Sequence, residues 1–360
     1  MVQVYYRVHL DITPGIRYDE FARIRHISMK INPLVRFGPR LVAAIEASLL
    51  VGFCAAPLLL TGCRKQVPTI AVIPRTCGTL LWEAEHTGVE REATASGLYV
   101  YWNAPMREDD VQGQIEILTH ALDRGARGLI VSPVEDLPLR ISIHRALRAG
   151  TPVVVVGTDL GLAPGKNLAY VLNDERSGGQ MAARRVGHLL KGQGTIAILG
   201  ITKQLTSSAE RARSLEEALA NEFPQIHIAF RSLALPTVSQ EQQVAEKLLA
   251  GSANVDAIVA LSEFSTRGAF YALTEFNKTS STHLIGFDQN LLVPVRTGGI
   301  DSVIMQNTNQ MGRAAMKLMQ EELTGGATQN YVVLQPQLVT RENIDSDAVK
   351  EILDLGWFGK

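Results

Sequence analysis

The chain has 360 residues, 46% of them hydrophobic and 20% charged, with 35 Lys and Arg against 36 Asp and Glu. That composition suits a globular protein with sizeable cores and excludes a disordered one, and the net charge of −1 leaves no electrostatic footprint for nucleic acid. Three cysteines and eight scattered histidines offer neither a disulfide framework nor metal-ligand spacing.

Residues 1–68 differ in character from the rest. The run ASLLVGFCAAPLLL, residues 47–60, carries no charge, follows a basic segment holding Lys30, Arg36 and Arg40, and holds Cys54. Basic, then apolar, then small residues is the order of an export signal, and Met29-Lys30 would make a usual start for one. The apolar run is shorter than the ~20 residues that cross a bilayer as a helix, and Pro57 interrupts its last turn. A permanent transmembrane anchor is therefore the weaker reading. Leu60-Thr61-Gly62-Cys63 resembles the bacterial lipobox. That resemblance makes residues 1–62 a leader, Cys63 the lipidated first residue of the mature chain and residues 63–68 a linker. The protein is then expected in the bacterial cell envelope, held to the membrane by its lipid and facing the periplasm or the exterior. Cys77 is left alone, so no internal disulfide is expected.

From residue 69 onward, short β-branched runs alternate with amphipathic stretches. TIAVIP (69–74) predicts a buried strand, and residues 80–97 a helix stopped by Gly97. LYVYW predicts a second strand. The next helix has Val111, Ile115, Leu118 and Leu122 on one face, Asp109 or Asp110 as its cap and Gly125 as its end. GLIVSP, a helix near 137–149 and PVVVVG continue the alternation. After APGKN and LAYVL it starts again: helix 176–191, TIAILG, helix 207–222, IHIAF, helix 238–250, AIVAL, helix 265–276 and HLIGF. Continuous apolar strands between helices imply parallel sheets covered on both faces, and two such series imply two similar doubly wound α/β domains. Their strand ends, where loops gather, are the natural ligand crevice.

Over residues 68–340 the chain resembles the periplasmic sugar-binding proteins of the ribose-binding type, the fold that also serves as the effector domain of lactose-class repressors. The resemblance rests on TIAVIP with Gly88, NDERSGG (173–179), SSAERARSLEEAL (207–219), IGFDQN (285–290) and SVIMQN (302–307), in that order and spacing. It implies a three-segment hinge with crossings near 172–174, 306–308 and 333–336. The subdomains would be 69–172 plus 307–333 and 173–306 plus 334–345, with 346–360 as a tail.

The same resemblance implies a ligand set. Asp288 and Gln306 would bond sugar hydroxyls, a carboxylate accepting from two and an amide both donating and accepting. Asp288 as a helix cap and Gln306 as a hinge residue are the competing readings. Trp82 falls where the family has the second of two stacking aromatics, the first position being Leu81. Thr76 shares that first strand-to-helix connection, His86 lies one helical turn from Trp82, and Trp102 ends the second strand. Three positions depart from the family. Gly157-Thr158 replaces its Asp-Arg pair, with Asp159 following. Ala209 replaces the first arginine of the helix-start motif, leaving Arg211 in a mainly structural role. Ser262, followed by Glu263, replaces its asparagine. Losing an arginine while gaining carboxylates alters hydrogen-bond polarity, so a ribose pocket does not follow.

No nucleophile elbow, phosphate loop or HExxH helix is present, and the glycines of KGQGTIAILG precede their strand, which is the wrong side for a dinucleotide. The expectation is a binding protein without enzymatic activity or cofactor, partnered by a small sugar-like molecule and an ABC transporter permease. A sensor or autoinducer-binding protein is the alternative. A repressor-class regulator would need a basic helix-turn-helix where the apolar run stands.

Overall fold

The computed structural model describes residues 69–251, 254–325 and 329–353. The leader (1–62), Cys63, the linker and the end of the tail lie outside the described residues.

The first series runs β1 (Thr69–Ile73), α1 (Leu80–Ser96), β2 (Tyr99–Trp102), α2 (Val111–Asp123), β3 (Gly128–Val131), α3 (Asp136–Arg148), β4 (Val153–Val156) and β5 (Leu168–Asn173). The second runs α4 (Glu175–Leu189), β6 (Gln193–Ile201), α5 (Thr206–Glu222), β7 (Gln225–Leu233), α6 (Val238–Ala250), β8 (Ala257–Ala260), α7 (Glu263–Glu275) and β9 (His283–Gly286). A 3-10 turn (Gln289–Leu291), α8 (Leu292–Thr297) and β10 (Ser302–Met305) complete it, followed by α9 (Thr308–Thr324), β11 (Tyr331–Leu334), β12 (Gln337–Thr340) and α10 (Asp347–Ile352).

Two six-stranded sheets result, in the orders β11-β5-β4-β3-β1-β2 and β12-β10-β9-β8-β6-β7. Their first five strands follow one winding scheme, and every pairing is parallel except β10 with β12. The fold is therefore α/β with two doubly wound lobes, as the alternation predicts. Each inner strand is buried on both faces because helices cover both sides, and each sheet carries one apolar core per face.

The chain passes between the sheets at Asn173–Glu175, Met305–Thr308 and Leu334–Gln337. Helix α9 returns to the first lobe and packs on α1 through Gly88 and Gly312. A Cβ on Gly88 would collide with the Asn309 carbonyl, and one on Gly312 with the Glu85 carbonyl. The strand expected at 226–230 is longer, reaching Leu233, because β7 is an edge strand whose pairing with β6 continues past a register shift. Its half-exposed, alternating pattern hid that continuation in the sequence. Among the described residues no helix is long and apolar enough to cross a membrane.

Helix caps fix the loop geometry around the strand ends. Asp110 accepts from Gly113 N at the start of α2 and Asp174 from Ser177 N at the start of α4. Ser262 and Ser265 form a reciprocal capping box on α7.

Candidate functional site

A cavity of about 380 Å³ lies between the lobes, walled by the segments that follow β1, β3 and β4 on one side and β6, β8, β9 and β10 on the other. These are the carboxyl ends of parallel strands, where successive crossovers diverge and leave a crevice. The lobes touch beside it. Asp136, at the start of α3, accepts through Oδ2 from both the backbone N–H and the hydroxyl of Thr206, each at 2.7 Å. Leu80 N donates to Asn290 Oδ1 at 3.4 Å, and Asp159 N to Ser207 Oγ at 3.2 Å.

On the first lobe the wall is built by the start of α1. Trp82 is buried, and its indole N–H donates to Glu108 Oε1 at 3.0 Å, which satisfies the polar edge of the ring. The Arg75 guanidinium carbon lies 5.7 Å from the Trp82 ring centroid, and its Nε donates to the Pro133 carbonyl at 2.9 Å. Glu85, nearly one turn after Trp82, is 1% exposed. Its Oε1 meets the Ser132 hydroxyl at 3.5 Å and its Oε2 has no partner. Burial pushes the Glu85 carboxyl up to about 8, against the pull of Arg75 and Ser132.

The second lobe presents two charged clusters. In one, Arg211 donates to Glu175 Oε2 at 2.6 Å and to the Leu261 carbonyl at 2.5 Å, and stacks 4.1 Å from the Phe287 ring centroid. Gln306 donates to the other oxygen of Glu175 at 2.8 Å. In the second cluster, Arg267 is shared between Glu263 Oε1 at 2.5 Å and Asp288 Oδ2 at 3.2 Å. Asp288 Oδ1 also accepts from the Asn290 backbone N–H at 2.8 Å and from its side-chain amide at 2.9 Å. Burial raises Asp288, while Arg267 and Asn290 act against the rise. For Glu263, burial and then the nearby charges of Asp288 and Glu108 push the carboxyl up to about 8, opposed by Arg267.

Of the expected ligand set, Trp82, Ser262, Glu263, Asp288 and Gln306 line the cavity together. The other five do not, each for a local reason. Thr76 turns its hydroxyl to the Pro105 carbonyl at 3.1 Å. His86 stacks on Trp102, with ring centroids 4.1 Å apart and planes 10° apart, and sits between Glu83 and Glu90. One helical turn displaces a side chain by about 40° around the axis, which here turns His86 toward β2 rather than the crevice. Thr158 is spent on Asp136 Oδ1 at 2.8 Å, and Asp159 accepts from Gly161 N at 2.7 Å. Asp288 does cap the turn that follows it, as one reading expected, and it also lines the cavity. Arg211 is tied into its own lobe and reaches the cavity wall as well.

Sequence reasoning missed Arg75, Glu85, Glu108, Glu175 and Gln289, all of which line the cavity. Arg75 directly follows the end of a predicted strand and Gln289 comes two residues after one, a signal that could have found them. Glu85 and Glu108 carry no comparable mark.

The chain spans most of the length of the curated proteins it resembles. It is 22% identical to the ribose import binding protein of Bacillus subtilis over 77% of this chain and 89% of that one. To the D-allose-binding periplasmic protein of Escherichia coli it is 23% identical, over 69% and 82%. Among solved structures, a solute-binding protein of an ABC transporter from Agrobacterium vitis, bound with α-D-tagatopyranose, superposes with a TM-score of 0.74 at 18% identity, covering 79% of this chain and 98% of that one. A carbohydrate transporter solute-binding protein from Agrobacterium radiobacter, in complex with D-arabinose, gives 0.74 at 20% identity, covering 80% and 99%. These likenesses establish the fold. The family model described as periplasmic binding protein domain matches residues 70–327, most of the described chain, and the chain belongs to that family.

Proposed function

We propose that this protein is the solute-binding component of an ABC importer, taking a sugar or similar small polyhydroxylated molecule between its two lobes. The observation that carries the reading is the cavity itself. About 380 Å³ suits a monosaccharide-sized solute, and one wall presents Trp82 while the other presents Asp288, Glu263 and Gln306. An aromatic face matches the apolar face of a pyranose, and carboxylates and amides read its hydroxyls. The ribose and D-allose in the names of the relatives, and the sugars bound in the structural neighbours, support the same class.

In this reading the lobes comprise residues 69–172 plus 307–333 and 173–306 plus 334–345, and the three crossings act as hinge. Binding shifts an equilibrium between open and closed arrangements toward the closed one. The protein binds rather than catalyses, faces the periplasm or exterior, and is held at the membrane by a lipid on Cys63. The partner is a transporter permease. Thermal-shift measurements on the purified protein against sugars, polyols and nucleosides test the reading, because a ligand bound only by the folded state raises the melting temperature. Stabilisation by nucleosides alone, with no sugar or polyol active, would remove it.

A further inference from the structure

The cavity contains more negative charge than its own cations balance. Glu85, Glu108, Asp109, Glu135, Glu175, Glu263 and Asp288 line it, Asp109 being paired with Arg107, whereas Arg75 and Arg211 are the only cationic side chains lining it among the described residues. Arg211 is committed to Glu175, and Arg267, behind the wall, is divided between Glu263 and Asp288. Arg75 feels the charges of Glu108, Glu175 and Asp136 and acts in turn on Glu85, so its one charge is divided among several acids. Fully ionised, the carboxyl groups of the cavity outnumber the guanidinium groups that face them, in a half-enclosed space where unpaired charge is costly.

The excess is concentrated where the lobes meet. Glu108 follows β2 in the first lobe, Glu263 opens α7 in the second, and the two line the same cavity from opposite sides, close enough for the charge of Glu108 to raise Glu263. Closing the cleft therefore presses like charges together. The Trp82 indole holds Glu108 in place at 3.0 Å. A second, independent feature points the same way. Two cavity-lining side chains, each more than nine-tenths buried, present acceptor atoms without a partner: Glu85 Oε2 (1% exposed) and Gln289 Oε1 (4% exposed). The amide nitrogen of Gln289 is already used on the Gln306 carbonyl at 3.1 Å, which leaves its oxygen for an incoming donor. A resident metal ion does not answer the charge, since no group of three or more His, Cys, Asp or Glu among the described residues is arranged to hold one.

We propose that the solute carries an ammonium group beside its hydroxyls, an amino sugar or other polyhydroxylated amine, with the cation seated between Glu108 and Glu263. An ammonium supplies one positive charge and three donors against the excess of carboxylates, and the hydroxyls beside it supply donors for the unpartnered oxygens of Glu85 and Gln289. A neutral sugar leaves the excess to be neutralised by protons. The raised affinity of Glu263 and Glu85 for protons is that competing solution, and an amine bound beside Glu263 displaces its proton into solvent. The proposal rests on the sugar-binding reading of the cleft and narrows it to a charged class.

The test is isothermal titration calorimetry of the detergent-solubilised full chain near neutral pH, in two buffers of different ionisation enthalpy. D-Glucosamine, D-galactosamine and D-mannosamine are compared with D-glucose, D-galactose and D-mannose, with N-acetyl-D-glucosamine as an uncharged analogue. At least one amine should bind tenfold or more tighter than its neutral parent, equivalent to about 1.4 kcal/mol, and release protons on binding. Glu263→Gln and Glu108→Gln should each move the ratio of amine to parent affinity toward one; Glu108 lies on a loop, so its variant carries the test should Glu263→Gln fail to fold. Neutral parents binding as tightly as the amines would overturn the proposal and leave the sugar reading intact. Binding of putrescine with no sugar of either kind would overturn the sugar reading and keep only the cation. Binding of none of these probes would overturn both.

Discussion

Asp136 sits where closing of the cleft can be weakened without touching a solute. It belongs to the first lobe, yet its Oδ2 accepts the backbone N–H and hydroxyl of Thr206, the first residue of α5 in the second. The residue before that helix, Leu205, offers no side-chain cap, so a carboxylate from the opposite lobe does the capping. Both bonds exist only while the lobes touch. A helix cap contributes about 1 kcal/mol and a charge-assisted hydrogen bond roughly 1.5–3 kcal/mol, so Asp136→Ala should disfavour the closed arrangement by about 3 kcal/mol. Because the solute binds the closed form, that loss is transmitted to the apparent affinity, which should fall about a hundredfold. Asp136→Asn retains an acceptor without the charge and should lose nearer tenfold. Asp136 also accepts from Thr158 within its own lobe, so the melting temperature without solute should fall slightly, by the equivalent of about 1 kcal/mol. Calorimetric titration with a solute found in the thermal-shift panel, beside melting curves without it, separates the two effects. A lower melting temperature with affinity unchanged in Asp136→Ala would refute the argument, because the contact between lobes would then play no part in closing.

Other outcomes follow from the same geometry. Solute binding should change the intrinsic fluorescence, and Trp82→Phe should remove most of the change while Trp102→Phe retains it, since Trp102 is stacked on His86 away from the cavity; the reverse result would place the aromatic platform elsewhere. Asp288→Ala should weaken binding about a hundredfold if its carboxylate accepts two sugar hydroxyls, and should also lower stability by about 1–2 kcal/mol through loss of the Asn290 cap and the Arg267 pair. Loss of stability alone in that variant would leave Asp288 with the cap. Glu85 has a folded-state pKa near 8, above the ~4.3 of an unfolded chain, so the folded form holds its proton more tightly. Its contribution to stability is fully present below about pH 4 and is lost as pH rises toward about 8, by up to about 1.4 kcal/mol per unit. Glu85→Gln should therefore melt higher than the parent protein above pH 8 and flatten the pH profile of the melting temperature; identical profiles would show that Glu85 does not stay buried and uncompensated.

The sequence alone determined the alternation of strands and helices, the two lobes and several residues of the crevice. Those features are written locally. Short apolar runs rich in β-branched residues, set between helical stretches, read as strands buried on both faces, and Trp82 and Asp288 stand shortly beyond such runs, where the fold gathers its loops. Partnership between distant segments is not written locally, and only the tertiary structure decided it. His86 and Trp102 are sixteen positions apart on different elements, and their stacking removes both from the cavity lining. Thr158 looks free in the sequence, but is consumed by a carboxylate that also reaches across to the other lobe. Glu85, Glu108 and Glu263 come from a helix, a loop and the start of a helix in another lobe, each an ordinary surface-type residue in its own stretch. Their excess of charge exists only once two sheets are brought face to face, because Coulomb interaction and burial depend on distance and exclusion of water, neither of which is a property of sequence spacing.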